Sequence, residues 1–200
     1  MRELFCDPAL IRELAEPGSD VRCGVNLICR PPREVTSLIL ELQNQLRRTE
    51  PDQYYYPPTD LHLTVFEICH SLDWKEAAPI AEAMDSESGV WLKDMRRFEL
   101  RTPMMGFDEV ACALRFEADS LLVSLRCIGE RVSNLRIPLK PRYSSASPHI
   151  TLMRYTCPLT TKPEEWWKLL RRLSFRVDQK YLLVGTKLRC CENPGKNERD

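Results

Sequence analysis

The sequence predicts an α+β fold in which antiparallel strands are layered against helices. Three observations carry that prediction. Strand-like runs fall in pairs between amphipathic helical stretches, where a doubly wound sheet would place single strands. The order strand, helix, Pro-rich loop, strand, helix is completed before residue 85, and a related order follows it, a pattern of internal duplication. Each copy ends its Pro-rich loop in a strand with the same signature, His62-Leu63-Thr64-Val65 and His149-Ile150-Thr151-Leu152.

The elements follow in order. Pro8 to Glu16 reads as a short helix with Asp7 before it as N-cap and Pro17-Gly18 as its stop. Val21 to Cys29 is a strand closed by Pro31-Pro32. Arg33 to Arg48 places Val35, Leu38, Ile39, Leu42 and Leu46 at helical spacing, which gives one buried face. Glu50 to Thr59, with Tyr54-Tyr55-Tyr56-Pro57-Pro58, is expected to be a loop on its prolines. It delivers the chain into the first His-x-Thr strand.

Trp74 to Met84 is a second long helix, capped by Ser71 or Asp73. Arg97 to Thr102 and Val110 to Phe116 are strands joined through Pro103-Met104-Met105-Gly106-Phe107. Ser120 to Val132 is helical. Leu135 to Pro148 is extended and rich in Pro and Ser, and it runs into the second His-x-Thr strand. Pro163 opens a helix over Glu164 to Leu173. Phe175 to Val177 and Tyr181 to Leu188 are the last strands. Residues 1–190 are expected to form one domain, and 191–200 a flexible tail.

The 200 residues are ample for a sizeable core, and 43% hydrophobic with 29% charged is ordinary for a globular chain. A net charge of zero speaks against a long polyanion as partner. Charge is concentrated locally, however. Arg136, Lys140, Arg142 and Arg154 lie in an acid-free stretch around the second signature, which suits a small anion. No apolar run is long enough to span a membrane, and the first residues lack a basic-then-apolar leader. Nine cysteines without a Cys-x-x-Cys spacing read as reduced, mostly buried thiols of a cytoplasmic protein, expected to be a monomer. Gly-rich phosphate loops, dinucleotide fingerprints and paired metal-ligand motifs are missing, so neither cofactor nor metal is expected.

In a strand, residues i and i+2 share a face. Each signature therefore presents a His beside a Thr, with Leu63, Val65, Ile150 and Leu152 packing behind. The chain has three histidines, and two fall in this pattern. Two imidazoles suit a general base and a general acid across one reacting centre. A Thr hydroxyl beside each can bond phosphate oxygens, and Arg154 can meet charge as it develops. His70 has no following Thr and reads as surface or helix-entry structure just beyond the strand. Tyr54 to Tyr56 either stack a nucleobase or pack the loop, Trp166 and Trp167 read as core and surface cover, and Arg136, Lys140, Arg142 and Tyr143 either bind phosphate or belong to a solvated loop.

The paired segments Asp60-Leu61-His62-Leu63-Thr64-Val65 and Pro148-His149-Ile150-Thr151-Leu152-Met153-Arg154 resemble the signature of the two-histidine (2H) phosphoesterase superfamily. That superfamily includes RNA 2′,5′-ligase-like cyclic phosphodiesterases and enzymes that cleave 2′,5′-oligoadenylates. The resemblance implies a bilobal, pseudo-twofold α+β fold of antiparallel sheets flanked by helices, with a cleft between lobes. It implies His62, Thr64, His149 and Thr151 as the catalytic quartet and a nucleotide or short oligonucleotide as substrate. Arg154, Tyr56 and Tyr143 are the candidate substrate-binding residues. A silent nucleotide- or RNA-binding module and a 2′,5′-ligase are the alternatives. Glu67, after the first signature, departs from the pattern.

Overall fold

Side-chain period decides most of the elements. The structure is a computed structural model that describes residues 6, 8–20, 23–94, 98–117, 127, 129, 130, 132–134, 148–174, 181–183 and 187–190. The helices are α1 (Pro8–Ala15), α2 (Arg33–Arg47), α3 (Trp74–Asp94) and α4 (Pro163–Ser174). The strands are β1 (Cys23–Cys29), β2 (Tyr54–Tyr55), β3 (Leu63–Leu72), β4 (Phe98–Phe107), β5 (Ala111–Glu117), β6 (His149–Arg154), β7 (Tyr181–Leu183) and β8 (Lys187–Cys190). The fold class is as expected, mixed helix and antiparallel sheet.

The strands run β7-β4-β5-β6-β3-β1-β8 in one open sheet, and every described pairing is antiparallel. The two signature strands, β3 and β6, meet in the middle. Among the described residues their ladder consists of the pair Leu63 and Ile150. One half of the sheet, β1 with β3 and β8, joins the other, β4 to β7, at this narrow seam. β2 lies along the same edge of β6 that β3 uses, Tyr54 opposite Arg154 and Tyr55 opposite Met153.

Helix α2 shows how sequence becomes packing. Val35, Ile39, Leu42, Gln43 and Leu46 form its buried stripe, which lies against β6. The one polar member of the stripe is placed for a reason. The Gln43 side-chain amide donates to the carbonyls of Tyr56 and Leu152, each at 2.8 Å. The amide of Tyr56 also donates to the Leu152 carbonyl, at 3.0 Å. Gln43 thus satisfies buried backbone groups where β2 and β6 separate.

Several boundaries differ from expectation. The Tyr-Tyr-Tyr-Pro-Pro stretch contains β2, because Tyr54 and Tyr55 pair with β6 before the prolines interrupt. The expected loop over Pro103 to Phe107 is part of β4. Pro103 sits at a register shift of the β4–β5 ladder, between Arg101 and Met104, where a missing N–H is tolerated. Helix α3 runs ten residues past its predicted end, from Met84 to Asp94, through Ser86, Glu87, Ser88 and Gly89, which carry no apolar period. The expected helix over 120–132 lies largely outside the described residues, as do 135–147, 175–180 and 191–200. No helix of the described residues is long and apolar enough to cross a membrane.

A buried carboxylate ties the loop before β2 to the segment after β6. Glu50 is 1% exposed; one oxygen accepts from the Thr161 amide at 2.6 Å and the other from the Thr160 amide at 3.1 Å. Burial works to raise its pKa, but the hydrogen bonds from Thr161 and Thr160 hold it below the ordinary 4.5. A folded-state value below the unfolded one stabilises the fold above pH 4.5 and is lost as pH falls through the lower value. Glu50→Gln is expected to cost about 1–3 kcal/mol at neutral pH. The deficit, read from urea unfolding midpoints, should shrink as pH drops below 4.5; a deficit constant with pH would assign it to packing.

Candidate active site

Strand period and register assemble the site. Leu63 and Ile150, the seam pair, are fully buried, so their neighbours on either side face the opposite way. Continued one step on either side of that pair, the antiparallel register sets His62 toward Thr151 and Thr64 toward His149. By that register the four side chains, all half-buried, make a His/Thr square on one face, while Leu61, Leu63, Val65, Ile150 and Leu152 are buried behind. The histidines occupy one diagonal, with a separation of roughly 7–8 Å expected of diagonal cross-strand neighbours.

Arg154 would miss this face if β6 were regular, because it is an odd number of residues from His149. A β-bulge corrects the period. Cys112 pairs with Met153 but Ala113 with Thr151, so Leu152 is the additional residue. Leu152 and Met153 both turn into the core at 0% exposure, and Arg154 returns to the face of the His/Thr square. The same device operates in β3. Leu27 pairs with Phe66 but Ile28 with Thr64, which sends Val65 and Phe66 inward and brings Glu67 to the open face. A further shift brings up His70, whose Nδ1 lies 3.5 Å from a Glu67 oxygen. Glu67 therefore stands in the first strand where Arg154 stands in the second.

The His62 ring is fixed through its backbone. Its Nδ1 is 2.7 Å from the Asp60 carbonyl oxygen, and a carbonyl only accepts, so Nδ1 carries the proton and Nε2 of the neutral ring is the bare nitrogen. Burial holds the His62 pKa below the ordinary 6.5; Arg30 and His149 push the same way, and the Asp60 carbonyl and carboxylate oppose them. Arg30 is one step beyond the Cys29–Leu63 pair, hence opposite His62, and its guanidinium donates to the Leu61 carbonyl at 3.1 Å. Arg115 stands opposite His149 on the other side. Neither arginine was singled out by the sequence, since only register brings them to the histidines.

Arg154 Nε donates to the Tyr56 hydroxyl at 2.9 Å, and the Tyr56 ring meets Tyr54 edge-on at 5.2 Å between centroids. Tyr55 is the packing member of the triplet: it is buried, its hydroxyl donates to the Glu50 carbonyl at 2.8 Å, and Arg47 covers its ring. Trp166 is core, with its indole N–H on the Tyr155 hydroxyl, and Trp167 lies edge-on to Phe107. Tyr143, Arg136, Lys140 and Arg142 lie outside the described residues. Among the described residues no group of three His, Cys, Asp or Glu is placed to hold a metal ion. The arrangement can accept one proton, deliver another, and hold an anion between.

No protein-family model matches the sequence, and no curated protein does. Solved structures do match in fold. TT0787 of Thermus thermophilus has a TM-score of 0.53 at 18% identity, over 84% of this chain and 95% of its own. The conserved protein ATU0111 of Agrobacterium tumefaciens reaches 0.54 at 17% identity, over 78% of this chain and 73% of its own. E. coli LigT, solved with 3′-AMP, reaches 0.50 at 15% identity, over 86% and 96%. The fold is that of the 2H phosphoesterases, to which LigT belongs.

Proposed function

We propose that the chain is a metal-independent phosphodiesterase that acts on a nucleotide or short oligonucleotide bearing a 2′,3′-cyclic phosphate or a 2′,5′ linkage. The diagonal pair of histidines, each with a Thr across the seam, carries this reading. The nucleotide part is supported by the likeness to LigT, a protein solved with 3′-AMP.

The setting of His62 supports a division of roles between the two histidines. His62, with Nε2 bare and its pKa held down, is the base that takes a proton from water. The water oxygen attacks phosphorus, the bond from phosphorus to the ribose oxygen breaks, and His149, as the acid, gives a proton from Nε2 or Nδ1 to that oxygen. Thr64 and Thr151 donate to the non-bridging oxygens, and Arg154 offsets the charge that builds there.

Turnover in excess EDTA of 2′,3′-cyclic AMP, 2′,5′-oligoadenylate and a cyclic dinucleotide tests the reading. Product from at least one is expected, and tight binding without product would make the chain a binding module. The pH profile tests the assignment. The acidic limb of kcat/KM reports the base in the free enzyme and is expected below pH 6.5. Removing the Arg30 charge relieves a pressure that lowers the His62 pKa, so Arg30→Met should move that limb upward. An unmoved limb would show that His62 is not the group being titrated.

A further inference from the structure

Arg115 plays no part in the chemistry above, yet its place is built into the sheet. Its pairing with His149 puts it on the face of the His/Thr square. From there the side chain turns sideways across β4. A Cβ at Gly106 would collide with Arg115 Cγ, Cδ and Nε, so only glycine leaves the space in which this arginine lies. Gly106 pairs with Ala113 and Ala113 with Thr151. Gly106 and the buried Ala113 thus continue the row of Thr151 and His62 across the sheet, and the Arg115 side chain lies over its Gly106 end.

Among the described residues the charge there is weakly engaged. Asp108 Oδ2 is 3.9 Å from Arg115 Nη2, and the two side chains are 50% and 40% exposed, a length and exposure at which ion pairs hold their partners loosely. The other Asp108 oxygen accepts the amides of Val110 and Ala111, each at 2.9 Å, and closes the β4–β5 turn. Gly106 is two strand spacings from Thr151, roughly 10 Å. That is too far for a contact with the phosphoryl group between the histidines. It is within reach of a second phosphate on the same ligand, and a guanidinium matches phosphate by paired N–H bonds.

We propose that Arg115, seated over Gly106, is a second anion subsite, so that the enzyme prefers nucleotides that carry another phosphate besides the reacting one. This rests on the phosphodiesterase reading and narrows its substrate class. Calorimetry with adenosine 3′,5′-bisphosphate and adenosine 3′-phosphate tests it without turnover. The wild-type protein should bind the bisphosphate about tenfold tighter, the worth of one charge-assisted contact. Arg115→Gln should bring the two affinities to within about twofold of one another. Gly106→Ala keeps every charge and displaces only a flexible side chain, and it should do the same. Equal affinities in the wild type, or a preference that survives in both variants, would overturn the subsite. Turnover of 2′,3′-cyclic AMP, measured in parallel, separates the two ideas. Turnover without a bisphosphate preference sinks the subsite alone; a preference without turnover on any cyclic or 2′,5′-linked substrate keeps the subsite and sinks the hydrolase.

Discussion

His62→Ala and His149→Ala are each expected to lower kcat/KM by about 10²–10⁴-fold, the range for loss of a positioned acid or base. The double variant should lose little more than the worse single one, because proton removal and proton delivery serve one displacement. Thr64→Ala and Thr151→Ala should be milder, about 1–3 kcal/mol each for one hydrogen bond to a charged acceptor. All four side chains stand on the half-exposed face, so urea midpoints should move far less than rates. His70→Ala is the internal control; it shares the face but lies beyond Glu67, its partner at 3.5 Å. A dead His70→Ala beside an active His149→Ala would end the paired-histidine reading.

The His/Thr square was legible in the sequence because it depends on the shortest-range rule of a strand, that i and i+2 share a face. Helix α2 was legible for the same kind of reason, a stripe of Val35, Ile39, Leu42 and Leu46 that nothing distant needs to complete. The remainder of the site depends on pairing between residues far apart in the chain. Arg30 and Arg115 reach the histidines only through the β1–β3 and β5–β6 registers. The β4 stretch around Pro103 and Gly106 looked like a loop because both residues are usual turn formers. Pro103 instead occupies a ladder irregularity, and Gly106 lies beneath Arg115. The bulges at Leu152 and Val65 have no local signature, yet they decide which way Arg154 and Glu67 face.

That dependence gives Arg154 the second large effect. Arg154→Met is expected to lower kcat about 10²–10³-fold on a cyclic phosphate substrate, the loss typical of one preorganised group that meets charge as it forms. The guanidinium has a built support. Its Nε is held by the Tyr56 hydroxyl, and the Tyr56 backbone is held in turn by Leu152 and Gln43. Tyr56→Phe removes the acceptor but leaves the charge, so a loss of tenfold or less is expected, about one neutral hydrogen bond. In the Arg154→Met background Tyr56→Phe should change nothing further, since the group it positions is gone. A full additional loss there would mean that Tyr56 touches the substrate in its own right, as a stacking platform for the base. If Arg154→Met raised KM with kcat intact, the arginine would bind ground state and transition state alike. The bulge would then be a device for affinity, and the charge that builds on the phosphoryl oxygens would have to be met by Thr64, Thr151 and His149 alone.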